Sequence, residues 1–237
     1  MPPFVKYILI ITSVTLTLIF LIIFVPVYKA AKTIDSLNNS IPRITSIMRY
    51  NGDTLDYECY PIPIDSISPH LIRAVIISED IAFFRHHGID WAELKIVIRQ
   101  DITRKGFYRG GSTIMMQLAR LLFLSPRKTP LRKVKEILIA KILERKLSKR
   151  RILELYLNLV EWGPHIYGAQ AASMHYFGIP ASKLTRKQAC ALAAVLPSPK
   201  KWNPLNPSKG VEKRIQIIYE RLIKYEQKFP EKLWKTM

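Results

Sequence analysis

Glu79 stands where a helical pattern asks for an apolar side chain. Ser68-Pro69 is a helix start, Leu71, Ile72, Val75 and Ile76 follow at helical spacing, and Glu79 falls on the face of Ile72, Val75 and Ile76. A carboxyl placed there would lose solvent, and its raised pKa would suit a general base or acid near neutral pH. Spacing alone equally admits a helix that ends at Glu79-Asp80 with both acids exposed. The string continues as Ile81-Ala82-Phe83-Phe84-Arg85-His86-His87-Gly88, where His86 is better placed to orient the Glu79 loop than to transfer a proton.

The second concentration is of positive charge. Lys and Arg number 37 against 18 Asp and Glu, a formal charge of +19. This excludes an acidic, solvated disordered chain and favours a polyanionic partner or a membrane bearing anionic groups. Residues 99 to 151 hold 16 of the cations and 3 of the acids, so an anion site belongs there. Arg120, Lys128, Arg132 and Lys135 lie in that stretch. Glu136, read plainly, is an i,i+4 partner of Arg132 worth about 0.3–0.5 kcal/mol at a surface. Ser112, Thr113 and Gln117 are polar residues near a helix start, where a hydroxyl caps well. The five histidines show no H-E-x-x-H or comparable ligand spacing, and Cys59 and Cys190 match neither a disulfide framework nor a CxxC pair.

The elements that must position these residues are mostly helices. Segments 112–124, 131–147 and 149–161 carry helical periodicity, punctuated by Gly110-Gly111, Ser125-Pro126, Pro130 and Gly163-Pro164. An Ala/Leu-rich buried helix is expected over 185–196 and an amphipathic one over 209–228, with alternating strand pattern confined to roughly 44–60. Nine glycines are few for an all-β chain. From Tyr7 to Tyr28 there are 22 uncharged residues, about 33 Å of helix and enough to cross a bilayer. The run is too long for a signal peptide, and its Tyr28-Lys29-Ala30 exit is a poor cleavage site. Lys6 faces Lys29 and Lys32 across it, so charge does not set the orientation. The domain plan is a tail at 1–6, a transmembrane helix at 7–28 and one globular unit from about residue 33 onward, which the resemblance set out below divides into a linker at 29–56 and a domain at 57–237.

Five ordered motifs carry a resemblance. Glu79, Asp80, Phe83, His86 and Gly88 match E-D-x-x-F-x-x-H-x-G, and Gly110 to Leu121 follows G-x-S-T-I-T-Q-Q-L-x-K-N. Arg132-Lys133-Val134-Lys135-Glu136 is R-K-x-x-E, and Lys149 to Asn158 is K-x-x-I-L-E-x-Y-L-N. Gly168-Ala169-Gln170-Ala171-Ala172, Tyr176-Phe177-Gly178 and the Ala193 to Pro199 string complete the set. Over about 57–205 the chain resembles the peptidoglycan glycosyltransferases of bacterial cell-wall synthesis. With Val160-Glu161-Trp162-Gly163-Pro164 and no penicillin-binding domain following, it is similar to their monofunctional biosynthetic branch.

The resemblance implies a mainly α, lysozyme-like domain on one N-terminal anchor, facing outward from the cytoplasmic (inner) membrane, the periplasmic side. The implied substrate is lipid II, a disaccharide-pentapeptide on undecaprenyl pyrophosphate, joined to a nascent glycan strand with inversion. Glu79 would be the general base and Glu136 a second carboxylate aiding departure of the pyrophosphate, directly or through a metal ion. Arg120, Lys128, Arg132 and Lys135 would hold the pyrophosphate, with Asp80, His86, Ser112, Thr113 and Gln117 completing the substrate site. No cofactor is required by the motifs, though Mg2+ or Mn2+ could assist the pyrophosphate. Penicillin-binding proteins and the division or elongation machinery are the protein partners such an enzyme would meet, and no nucleic-acid motif is present. The chain departs from the family at Met115-Met116, where a Thr-Gln pair is usual. Two polar cleft-lining side chains become apolar, which keeps a catalytically weak, lipid II-binding scaffold as the alternative. A hydrolase of similar shape would not need the cations.

Overall fold

The computed structural model describes residues 2–104, 111–127 and 129–228. Along the chain come α1 (Pro3–Ile34), α2 (Ser46–Asn51), β1 (Glu58–Cys59), α3 (Pro69–Glu79) and α4 (Trp91–Arg104). Next are α5 (Ile114–Phe123), α6 (Pro130–Lys146), α7 (Lys149–Leu159), β2 (Glu161–Gly163) and β3 (Ile166–Tyr167). Last come α8 (Ala169–Phe177), α9 (Arg186–Val195) and α10 (Lys209–Lys228). The mainly α expectation therefore holds. The strands form one small sheet in the order β1-β3-β2, with β1 parallel and β2 antiparallel to β3. The 44–60 region departs from the expected strand pattern: α2 takes six of its residues and β1 only two. The helix expected to reach residue 161 stops at Leu159, because the next residues pair with β3.

Hydroxyl side chains set the helix starts. Ser68, Thr113, Thr129, Ser148 and Thr185 each accept a backbone N–H from the first turn of α3, α5, α6, α7 and α9. Such a cap is worth about 1 kcal/mol. Pro69 and Pro130 follow two of them, where a missing N–H costs nothing. α3 buries Leu71 through Ile77 without a break, so it is a central helix rather than a surface one. It packs against α9 and α10, which also pack on each other, while α5 packs on α6 and α7. Arg73, buried in that stretch, is held by Glu226 of α10 at 3.0 Å.

α1 has an exposed apolar span of mean hydropathy 3.0, long enough to cross a membrane. It does not stop at the span. Val27, Ala30 and Ile34 lie on one face of its last turns and are buried, with Leu37 just beyond, and α1 packs along α6. Lys146 of α6 donates to the Ala31 carbonyl at 2.9 Å and pairs with Asp35 at 2.6 Å. Arg151 of α7 donates to the Leu37 and Ser40 carbonyls. Residues 29–56, expected as a linker, are thus the end of α1, a short 3-10 turn and α2, all seated on the helical core.

Candidate active site

Glu79 is the last residue of α3, and Asp80 leaves the helical conformation. The helix ends at the two acids, yet neither is exposed: the Glu79 side chain keeps 11% of its surface and Asp80 7%. Glu79 is held from three sides. Gln117 Nε2 of α5 donates to Oε2 at 3.1 Å, and Arg214 Nη2 of α10 and the Ser78 hydroxyl donate to Oε1 at 3.0 and 3.3 Å. Burial pushes its carboxyl above the usual glutamate range, opposed by Gln117, Arg214 and Ser78 and reinforced by Asp80. The Gln117 carbonyl in turn accepts from the Tyr156 hydroxyl at 2.9 Å, which fixes the amide with its NH2 toward Glu79. Burial keeps that hydroxyl protonated far above the ordinary tyrosine range.

Asp80 is a structural latch. It accepts the Ile114 N–H at 3.0 Å, at the positive end of α5, and His86 Nε2 at 2.9 and 3.0 Å. Thr113 caps Met116 and donates to the Gly88 carbonyl at 2.7 Å, with 3% of its surface exposed. Thr113 and His86 therefore tie the loop after α3 to α5; Thr113 does not line an open cleft. Lys149 of α7 closes the same loop, donating to the Phe83 and His86 carbonyls and pairing with Glu144 at 3.1 Å. Gly88 has φ +83° and lies so close to the Ala140 carbonyl that a Cβ would sit 3.2 Å from it.

The cations gather at the start of α6. Glu136, 2% exposed, pairs with Arg132 through Oε1 and with Lys133 through Oε2 at 3.1 Å. Lys133 also donates to Ser112 Oγ at 2.6 Å, joining α6 to the approach to α5. Burial lowers the Lys133 pKa, Glu136 raises it, and Arg132 and Arg120 lower it again, so Arg120 belongs to this cluster. Arg120 is three residues beyond Gln117 on α5 and has no ion-pair partner among the described residues. Lys135 is half-buried on α6. Lys128 lies outside the described residues.

Two expectations change. Met115 and Met116 are both 0% exposed and belong to the core, so they do not replace cleft-lining groups. Glu136 does not suit a divalent ion: both its oxygens are occupied by cations, and no group of three or more His, Cys, Asp or Glu converges among the described residues. Spacing alone does not single out Arg214, Lys133, Tyr156 or Lys149. Lys133, Tyr156 and Lys149 stood inside quoted motifs, whereas Arg214 lies beyond all of them and nothing local marks it.

A family model described as Transglycosylase matches residues 51–223. The biosynthetic peptidoglycan transglycosylases of Nitrosospira multiformis and Chromobacterium violaceum are each 45% identical over 161 residues. That match covers 68% of this chain and 70% and 71% of theirs. The relative of the same name in Rhodospirillum centenum is 45% identical over the same length. With a buried glutamate at the end of α3, a cation cluster at the start of α6 and these matches, the chain belongs to the transglycosylase family.

Proposed function

We propose that the protein polymerises peptidoglycan glycan strands from lipid II, with Glu79 as general base and the α5–α6 cations receiving the leaving diphosphate. One observation carries the reading: α5 offers Gln117 to Glu79 and, three residues on, Arg120 to the Arg132–Lys133 cluster. A base and an anion site thus stand a single helical turn apart. The 4-hydroxyl of lipid II gives its proton to Glu79 and attacks the anomeric carbon of the lipid-linked chain from the face opposite the diphosphate. The carbon–oxygen bond to the diphosphate breaks and the configuration inverts.

Charge grows on the diphosphate as that bond breaks, so fixed cations act more strongly in the transition state than in the ground state. Arg120, Arg132, Lys133 and Lys135 supply them, with Lys128 the further candidate. Glu136 orients Arg132 and Lys133 so that little rearrangement is needed at the moment of reaction. Ser112 and Gln117 contribute hydrogen bonds to substrate and base, and Asp80, His86 and Thr113 hold the loop that carries Glu79. No step is assigned to a metal ion.

The lipid-linked substrate fits an enzyme anchored by α1 in the inner membrane with its catalytic domain on the periplasmic face. Its uncrosslinked product calls for penicillin-binding proteins of the division or elongation machinery as consumers. The binding-only alternative rested on the methionine pair, and core packing accounts for that pair. The test is polymerisation of purified lipid II by the full-length protein in detergent beside Glu79→Gln, with and without a divalent cation. A loss of about 10²- to 10⁴-fold is expected for the variant. Equal polymer from both proteins would remove Glu79 as the base.

A further inference from the structure

Beside Glu79 lies a cavity of about 310 Å3 that the reaction above does not use. Ser78, Gly210, Lys213, Arg214, Ile217, Ile218 and Arg221 line it. Gly210, Lys213, Arg214, Ile217 and Arg221 recur at i, i+3, i+4, i+7 and i+11 and so form one stripe of α10. Its floor is apolar at the buried Ile218, and its inner end is Ser78, whose hydroxyl touches Glu79 at 3.3 Å.

Three cations line this groove, and of them Arg214 alone is paired with an acid, Glu79, among the described residues. Arg214 spends Nη2 on Glu79, while its Nε is buried without a hydrogen-bond partner among the described residues. Lys213 and Arg221 are exposed and have no ion-pair partner among the described residues. Of the acids of α10, Glu226 is held by His70, Arg73 and Arg186 and Glu220 accepts from Gln216, while Glu212 is exposed and is not among the residues that line the groove. The groove is therefore a cationic, partly apolar channel that leads to the carboxylate receiving the attacking hydroxyl.

We propose that the α10 groove binds the peptide of the acceptor substrate, with Lys213 and Arg221 pairing to its carboxylates and Ile217 and Ile218 packing on its aliphatic side chains. This rests on Glu79 being the base, because the base fixes where the acceptor sugar lies. The peptide branches from the sugar next to the reacting one, and the groove begins one residue from Glu79. An elongated, multiply anionic chain with short apolar side chains matches a stripe of cations and isoleucines.

The test compares kcat/KM for lipid II with that for lipid II whose peptide carboxylates are amidated. The parent should prefer the anionic peptide, and Lys213→Gln/Arg221→Gln should reduce that preference by about three- to tenfold, as expected for two solvent-exposed pairs. An equal loss on both substrates would assign the cations to the acceptor diphosphate or to folding, and an unchanged preference would leave them idle; either result overturns the proposal. Direct titration of soluble pentapeptide into the full-length Glu79→Gln protein in detergent reads the groove without the base. There the double variant should weaken binding by a similar factor, and equal binding again overturns the proposal. Failure of Glu79 as base would show separately, as polymerisation surviving Glu79→Gln.

Discussion

Glu79 and Arg214 meet at 3.0 Å across 135 residues of chain, joining the end of the central helix to the first turns of α10. The contact opposes desolvation: burial favours the neutral acid, and the guanidinium favours the carboxylate. A general base must be ionised to act, so activity falls as pH drops through its pKa. Arg214→Met removes the cation and raises that pKa further, moving the acid limb of the kcat/KM profile to higher pH. A loss of about tenfold on the acid limb, shrinking at alkaline pH, is expected from the pH dependence of lipid II polymerisation. Superimposed limbs would show that Arg214 does not tune the base.

The same burial predicts a stability effect. Because the folded pKa of Glu79 is raised, the native state binds more protons than the unfolded chain between the ordinary and the folded value. Its contribution to stability is fully present at low pH and is lost as pH rises through the folded pKa. Glu79→Gln keeps the shape without the charge. Thermal unfolding should place the variant a few degrees above the parent near pH 8, with the gap closing toward about pH 4. A constant gap across that range would mean that the carboxyl is solvated in the folded protein.

Much of this architecture is legible from local pattern, and the remainder has a physical reason for being hidden. Ser and Thr caps before apolar periodicity mark α3, α5, α6, α7 and α9 to within a few residues. Periodicity admits both a buried and an exposed Glu79, because it gives a face and not what covers it. The cover is α10, which delivers Arg214 from outside every motif. Met115 and Met116 illustrate the converse: a motif position says which residue is usual, while only packing says whether it touches solvent. Over roughly 44–60 the alternating pattern suggests strand, but Thr45 caps a helix there through the Met48 N–H and α2 packs on α5.

The methionine pair can be tested by restoring the family's usual residues. Met115→Thr/Met116→Gln puts a hydroxyl and an amide into positions with no exposed surface. Lost apolar burial and the new polar atoms should together cost about 3 kcal/mol or more. Denaturant unfolding should report that cost, while KM for lipid II stays unimproved. A stable double variant with tighter substrate binding would return the pair to the cleft.

Glu136 should matter first as a counter-ion. Glu136→Leu leaves Arg132 and Lys133 converging on an apolar side chain, and with Lys133 part-exposed the expected loss is about 2–4 kcal/mol. Glu136→Gln, whose carbonyl still accepts, should lose less stability and retain more polymerisation. If the two variants unfold at the same denaturant concentration and neither differs from the parent, solvent already screens the pair.

The anchor should influence catalysis through packing rather than tethering alone. α1 lies along the helix that carries Arg132, Lys133 and Glu136, and Ala30 is 2% exposed. Ala30→Phe must displace α6 or strain the contact, at about 1–3 kcal/mol. Displacement of about 1 Å at a transition-state contact can cost about 10²-fold in rate. Ile22→Phe puts the same aromatic ring in the exposed apolar span of the same helix, away from the core. Polymerisation and melting measured in one detergent should therefore separate the two, with Ala30→Phe slower and less stable and Ile22→Phe like the parent. Equal behaviour would mean that α1 anchors the protein without bearing on α6, and that the cations at the start of α6 are positioned by α5 and Ser112 alone.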